Sequence, residues 1–217
     1  MKSTVFASVL LFAISALGAP TATRTLISRS PGNITGLHSA SPTETIYPSL
    51  QVRWKSKEPT KLASNDRIGH LLSNLGTPGE QVHTAVYFTI SPEQAGRDKT
   101  CKLVFRLSVD DWAIGSSAGY SPVFDIFRLN GCLNDKYSWN NRVPRGAYAG
   151  SATPVKGGAA AWQSADMSTD TMVPYMGASP TFTCAAGEYS FEMIARPGVN
   201  IGWTTGSGSG LSIETCG

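Results

Sequence analysis

The sequence predicts an all-β domain folded as an antiparallel β-sandwich, and three observations carry that expectation. Cys101, Leu103, Phe105, Leu107 and Val109 alternate with Lys102, Val104, Arg106 and Ser108, the period of two expected of a strand. A second alternation places Tyr189, Phe191 and Met193 against Ser190, Glu192 and Ile194. The 22 glycines and 13 prolines supply the turns that join short strands. Jelly-roll and immunoglobulin-like arrangements both satisfy this pattern.

The elements follow in chain order. Residues 1–18 read as a signal peptide: Lys2 provides the positive start, Val5 to Leu17 an apolar run, and Ala16 and Gly18 the small residues before a cleavage point. Residues 19–44 are rich in Thr, Ser, Pro and Gly and read as a flexible leader or propeptide, with a glycosylation sequon at Asn33. The sandwich domain is expected over residues 45–217. One segment, Lys61 to Asn74, reads as a helix, with Leu62, Ile68, Leu71 and Leu72 roughly on one face and Gly69 weakening it. Val82 to Ile90 reads as a strand with Val82, Val86, Phe88 and Ile90 on one side. The strand from Cys101 is expected to pair as a hairpin with Val123 to Leu129, across a loop from Asp110 to Gly119. Residues 130–180 show weak periodicity and read as a long loop region or several short strands. Asn200 to Thr205, around a core Trp203, and Leu211 to Cys216 complete the domain, with turns at Pro197-Gly198 and at 206–210.

Secretion would carry four cysteines, Cys101, Cys132, Cys184 and Cys216, into an oxidising compartment, so two disulfides are expected. Of the three connectivities, the hairpin favours Cys101–Cys132, which leaves Cys184–Cys216. Beyond the signal no run is long enough for a transmembrane anchor. Without Lys2 the chain has 17 basic against 15 acidic residues, scattered with no basic stripe, which argues against a nucleic-acid partner.

Candidate chemistry is sparse. Gly115 to Gly119 matches the GxSxG elbow around Ser117, but a strand follows it rather than a helix, and His38, His70 and His83 all precede it, so it reads as a loop. Asp110 and Asp111 are adjacent and should point to opposite faces, a poor arrangement for glycosidic acid–base catalysis. Asp110, Asp111, Asp166 and Asp170 lack calcium-loop spacing, and the histidines lack zinc spacing, so no metal or other cofactor is expected. Trp54 and Trp203 suit the core. Trp112, Trp139 and Trp162 lie in or beside Gly/Asn-rich loops, where they either cover the core ends or stack on sugar rings, with Asn140 positioned to bind hydroxyls.

Several stretches together resemble a fungal family of secreted proteins carrying the "ubiquitin 3 binding protein" C-terminal domain. They are Thr45-Ile46-Tyr47-Pro48, Thr100 to Phe105, Cys184 to Glu192, Gly202-Trp203 and Leu211 to Cys216. The resemblance implies an extracellular β-sandwich in a family mostly without an assigned activity. The expectation is therefore a non-enzymatic secreted domain, outside the cell or at its wall, that binds polysaccharide. A hydrolase of wall glycans using Asp110 or Asp111, and an effector that binds a host protein, are the alternatives.

Overall fold

A computed structural model describes residues 44–63, 65–74, 79–111, 113–116, 122–164, 175–176 and 179–216. The predicted signal peptide, nearly all of the leader, Asn33, His38, Trp112, Ser117, Asp166 and Asp170 lie outside the described residues. Among the described residues fifteen strands follow in order: β1 (Glu44–Ile46), β2 (Leu50–Lys55), β3 (Ile68–Ser73), β4 (Gln81–Ile90), β5 (Thr100–Leu107), β6 (Ala113–Ser116), β7 (Phe124–Leu129), β8 (Arg145–Thr153), β9 (Gly158–Ala159), β10 (Ala161–Ser164), β11 (Tyr175–Met176), β12 (Thr181–Thr183), β13 (Gly187–Ala195), β14 (Val199–Thr204) and β15 (Gly210–Cys216). One turn of 3-10 helix, Thr205–Ser207, links the last two. Among the described residues there is no α-helix, and the strand pairings are antiparallel.

The strands form two sheets. In the smaller, β5 is central: β15 runs along one edge and β12 and β9 share the other, while β1 pairs with β15. In the larger, β4 is the hub. It pairs with β2 on one edge and with β13 on the other, and at Gln81 and Val82 that second edge passes to β3, which continues to β14 and β6. From β13 the sheet extends through β7, β8 and β10 to β11. The main core lies between the sheets, where Leu103, Phe105, Leu211 and Ile213 of the smaller meet Val86, Phe88, Phe124, Ile126, Phe191 and Met193 of the larger. The alternations in β4, β5 and β13 are thus inward-facing sets, except that Val109, expected to continue the set from Leu107, lies beyond β5 and is exposed. Trp203 is fully buried and stands edge-on to Phe105, with ring centroids 5.2 Å apart.

Three expectations are corrected. Lys61 to Asn74 is not a helix: its second half is β3, zipped along β14 from Ile68↔Thr204 to Leu72↔Asn200. Gly69 lies against the Trp203 indole, where a side chain would not fit, so its glycine serves packing rather than breaking a helix. Nor do β5 and β7 form a hairpin; they belong to different sheets, and Ala113–Ser116 between them pairs with β14.

That separation overturns the disulfide pairing as well. The disulfide joins Cys101 to Cys184, and Cys132 and Cys216 are free thiols. Cys101 faces the core, and β12 pairs across it through Phe182↔Cys101 and Thr183↔Thr100, which brings the following Cys184 alongside. Cys132 lies in the loop after β7, where its thiol donates to Glu188 Oε2. Cys216 follows Thr215, the residue opposite Cys101, so strand alternation turns it to the other face.

Between residues 130 and 180, read as either a long loop or several short strands, the described residues contain both. An irregular stretch spans residues 130–144, and β8 to β11 follow it.

Candidate functional site

The larger sheet has a second, smaller hydrophobic cluster on the face turned away from the main core. Val52, Trp54, Ala85 and Leu129 project there, and the loop 130–144 folds over them by inserting Leu133 and Val143. Backbone bonds hold that loop: Asn130 N–H donates to Pro144 O at 2.8 Å, Ala63 N–H to Tyr137 O at 2.8 Å, and Asn140 N–H to Pro59 O at 3.0 Å. Leu133 N–H donates to the Ser190 hydroxyl, and the Asn141 side-chain oxygen accepts from both the N–H and the hydroxyl of Ser138. An irregular stretch of this length keeps one shape because its polar backbone is satisfied by neighbouring segments.

Beside this cover lies a charged group reached from four segments. Glu192 is opposite Ala85 of β4 and Phe127 of β7, and alternation with the inward Phe191 and Met193 sends it to the outer face. His83, two residues from Ala85, shares that face and donates from Nδ1 to Glu192 Oε1 at 2.7 Å. Arg145, at the start of β8, grips the same carboxylate with two bonds, Nε to Oε2 at 2.5 Å and Nη2 to Oε1 at 3.1 Å. Arg142 lies over the Trp139 ring at 4.1 Å, and its Nη1 is 3.2 Å from His83 Nδ1 and 3.8 Å from Glu192 Oε1. His83 is also 4.7 Å from the Trp139 ring centre. The close approach of Arg142 to His83 means that both lie on one side of the indole rather than sandwiching it.

Burial raises the Glu192 pKa, but the bonds from His83 and Arg145 outweigh it and hold the carboxyl below its ordinary value. Burial dominates at His83, against the pull of Glu192, and holds the imidazole below the ordinary histidine pKa. Burial also lowers the Arg142 pKa, opposed by Glu192, and the guanidinium stays protonated. Two guanidiniums therefore face one carboxylate, so the group carries an excess of positive charge. Arg142, Arg145 and Glu192 of this group line an open cleft of about 320 Å³, with Trp139, Asn140 and Pro144 beside them. It offers an apolar ring, an amide and cationic donors to a ligand bearing hydroxyls or carboxylates.

Of the sequence candidates, the structure brings Trp139 and Asn140 together here. Trp162 is buried in the main core, so its role is packing. Asp111 is buried; its carboxylate accepts from Ser108 N–H at 2.6 Å, Thr204 N–H at 3.1 Å and the Ser209 hydroxyl, tying the end of β5 to the β14–β15 turn. Asp110 is exposed. His83, Arg142, Arg145 and Glu192 were not anticipated. The only local signal was an acidic residue within a buried strand, which on its own marks no site. Among the described residues no group of three or more His, Cys, Asp or Glu is arranged to hold a metal ion, and no helix is long and apolar enough to cross a membrane.

A comparison with protein families matches residues 46–205 to the ubiquitin 3 binding protein But2 C-terminal domain. That span begins in β1, includes every residue of the cleft and ends before β15. Among curated proteins no match was found. With most of its length covered, the chain belongs to the family of the ubiquitin 3 binding protein But2 C-terminal domain.

Proposed function

We propose that this chain is a secreted, non-catalytic domain that acts outside the cell or at its wall and binds polysaccharide through the Trp139–Arg145 cleft. The observation that carries the reading is the grouping of an indole, a side-chain amide and two guanidiniums around one open cleft. Aromatic faces take the apolar side of sugar rings while amides and guanidiniums bond to their hydroxyls. The carboxylates support binding over hydrolysis. Glu192 already accepts from His83 and Arg145, and a depressed pKa makes it a poor general acid. Asp111 is occupied by three structural donors. The apolar start of the sequence and its sequon support secretion.

The test is a pull-down of the purified secreted chain with insoluble chitin, β-glucan and cellulose, followed by assay for released sugar. Saturable binding without release is expected, weakened about tenfold by Trp139→Ala, a loss of about 1.4 kcal/mol. Released sugar would turn the reading to a hydrolase. No binding to any polymer would refute the polysaccharide reading. A protein partner is the second reading, favoured by the family's own description as a binding protein.

A further inference from the structure

A second cavity of about 340 Å³ opens on the core side of the larger sheet, the side opposite the Trp139 cleft. It lies at the end of the sandwich, where β12 and β5 of the smaller sheet stand apart from β7, β8 and β13 of the larger. Its walls are aromatic and aliphatic. Phe182 stands 5.2 Å from Tyr189 and 6.5 Å from Phe191 between ring centres, with Leu103, Ala149 and Pro180 also in the lining. The Tyr189 hydroxyl donates to Ala185 O at 3.0 Å and is thereby satisfied within the protein.

Thr181 and Tyr148 also line the cavity, and its one charged residue is Arg128. It is opposite Phe191 in the β7–β13 ladder, so it shares the inward face of β7 with the core residues Phe124 and Ile126. At that end of the strand the face is no longer covered, and Arg128 is exposed at the margin of the cavity. Its guanidinium lies 5.0 Å from the Tyr189 ring centre, and among the described residues no carboxylate pairs with it. By contrast Arg53, Arg106, Arg145 and Arg196 each have an acidic partner. An apolar cavity of this size with one placed charge has the form of a small-molecule site.

We propose that this cavity binds a small amphipathic monocarboxylate, with its apolar body against Phe182, Tyr189 and Phe191 and its carboxylate on Arg128. Charge complementarity selects the anion: a guanidinium takes a carboxylate by two parallel bonds, whereas a neutral head group offers it less and an ammonium is repelled.

Octanoate, octan-1-ol and octylamine are the probes, titrated into the full chain and followed by backbone amide NMR shifts at Ala147, Ala149 and Thr181. Octanoate should bind about tenfold or more tightly than octanol, with the preference shrinking as salt is raised because Arg128 is exposed. Arg128→Ala should bring octanoate to the octanol affinity and leave octanol unchanged, while Arg128→Lys keeps part of the preference. Ala147→Trp, at an exposed position on the rim, should weaken both ligands. Equal binding of octanoate and octanol, survival of the preference in Arg128→Ala, or no shift with any probe would each overturn the proposal. Trp139→Ala should leave octanoate binding intact, which separates this site from the polysaccharide reading.

Discussion

Replacing Gly69 by alanine is the most demanding test of the packing described above. A Cβ built on Gly69 would lie 1.8 Å from Trp203 Cε2, 2.1 Å from Cζ2 and 2.4 Å from Nε1, against 3.4–4 Å for ordinary contact. The indole would have to move by more than 1 Å, and its surroundings oppose that. Phe105 meets it edge-on, and Gly210 lies so near that a Cβ there would be 2.7 Å from Nε1. Overpacking a core usually costs about 1–3 kcal/mol when neighbours can yield. Here the substitution displaces the Trp203 ring itself, and losing a buried Trp costs about 3–5 kcal/mol. We expect Gly69→Ala to cost about 3–5 kcal/mol, a large share of the roughly 5–15 kcal/mol that holds a domain folded. Urea unfolding followed by far-ultraviolet circular dichroism would measure it. Gly206→Ala, where nothing lies within 4 Å of the added carbon, should fall within about 0.5 kcal/mol of the parent chain. A double-mutant cycle makes the test specific. In a Trp203→Leu background the clashing atoms are gone, so Gly69→Ala should cost less than about 1 kcal/mol there. A Gly69→Ala cost below about 1 kcal/mol in the parent chain, or additive behaviour in the cycle, would refute the reasoning.

Three further expectations follow from the same structure. The Cys101–Cys184 disulfide closes a loop of 83 residues, worth about 4–5 kcal/mol in the chain-entropy account, so Cys101→Ala with Cys184→Ala should lower stability by about that much. Cys132→Ser and Cys216→Ser should leave it nearly unchanged, and peptide mapping that found Cys101 joined to Cys132 would contradict the fold. For pH, His83 and His70 both have folded-state pKa values below 6.5, burial being the main cause, so the unfolded chain binds more protons below that pH. Their contribution is complete above pH 6.5 and is lost as pH falls through the folded-state values. Glu192, depressed below 4.5, adds stability that is lost on further acidification. Urea midpoints should therefore fall from pH 7.5 to 5, and His83→Asn should flatten that slope; an unchanged slope would show that His83 is not the group involved. Finally, Asp111→Ala leaves buried donors unpaired and should cost about 3 kcal/mol, whereas Asp110→Ala should stay within about 0.5 kcal/mol. Equal unfolding midpoints for the two would remove the structural role given to Asp111.

The inward faces of β4, β5 and β13 were legible in the sequence because each strand buries one side against a common core, which imposes alternation locally. Trp203 was legible for the same reason. What alternation does not encode is the partner across the ladder. β5 and β7 are near in sequence and read as a hairpin, yet β6 lies between them and each takes a partner near the C-terminal end, β15 and β13. The disulfide error followed directly, because a pairing deduced from a hairpin inherits the hairpin's fault. β3 was misread because its apolar residues are few and adjacent, so Leu71 and Leu72 satisfied a helical spacing as easily as a strand buried on both faces.

The candidate site was hardest to read, and the physical cause is the route by which its charges come together. Glu192 and His83 occupy outward positions that would ordinarily face water, so their alternation with apolar residues reads as an amphipathic strand. The loop 130–144 changes their environment by covering that face, and it does so without any periodicity of its own. Leu133 and Val143 anchor it, while Arg142 and Arg145 arrive with it to meet the carboxylate it helps to bury. A buried carboxylate without partners would be costly, so cover and cations must come as one unit. The loop is therefore a condition for folding this face as well as the source of its cleft. Substitutions at Leu133 or Val143 should affect ligand binding and stability together, whereas Trp139 at the margin is positioned to affect binding with less damage to the fold.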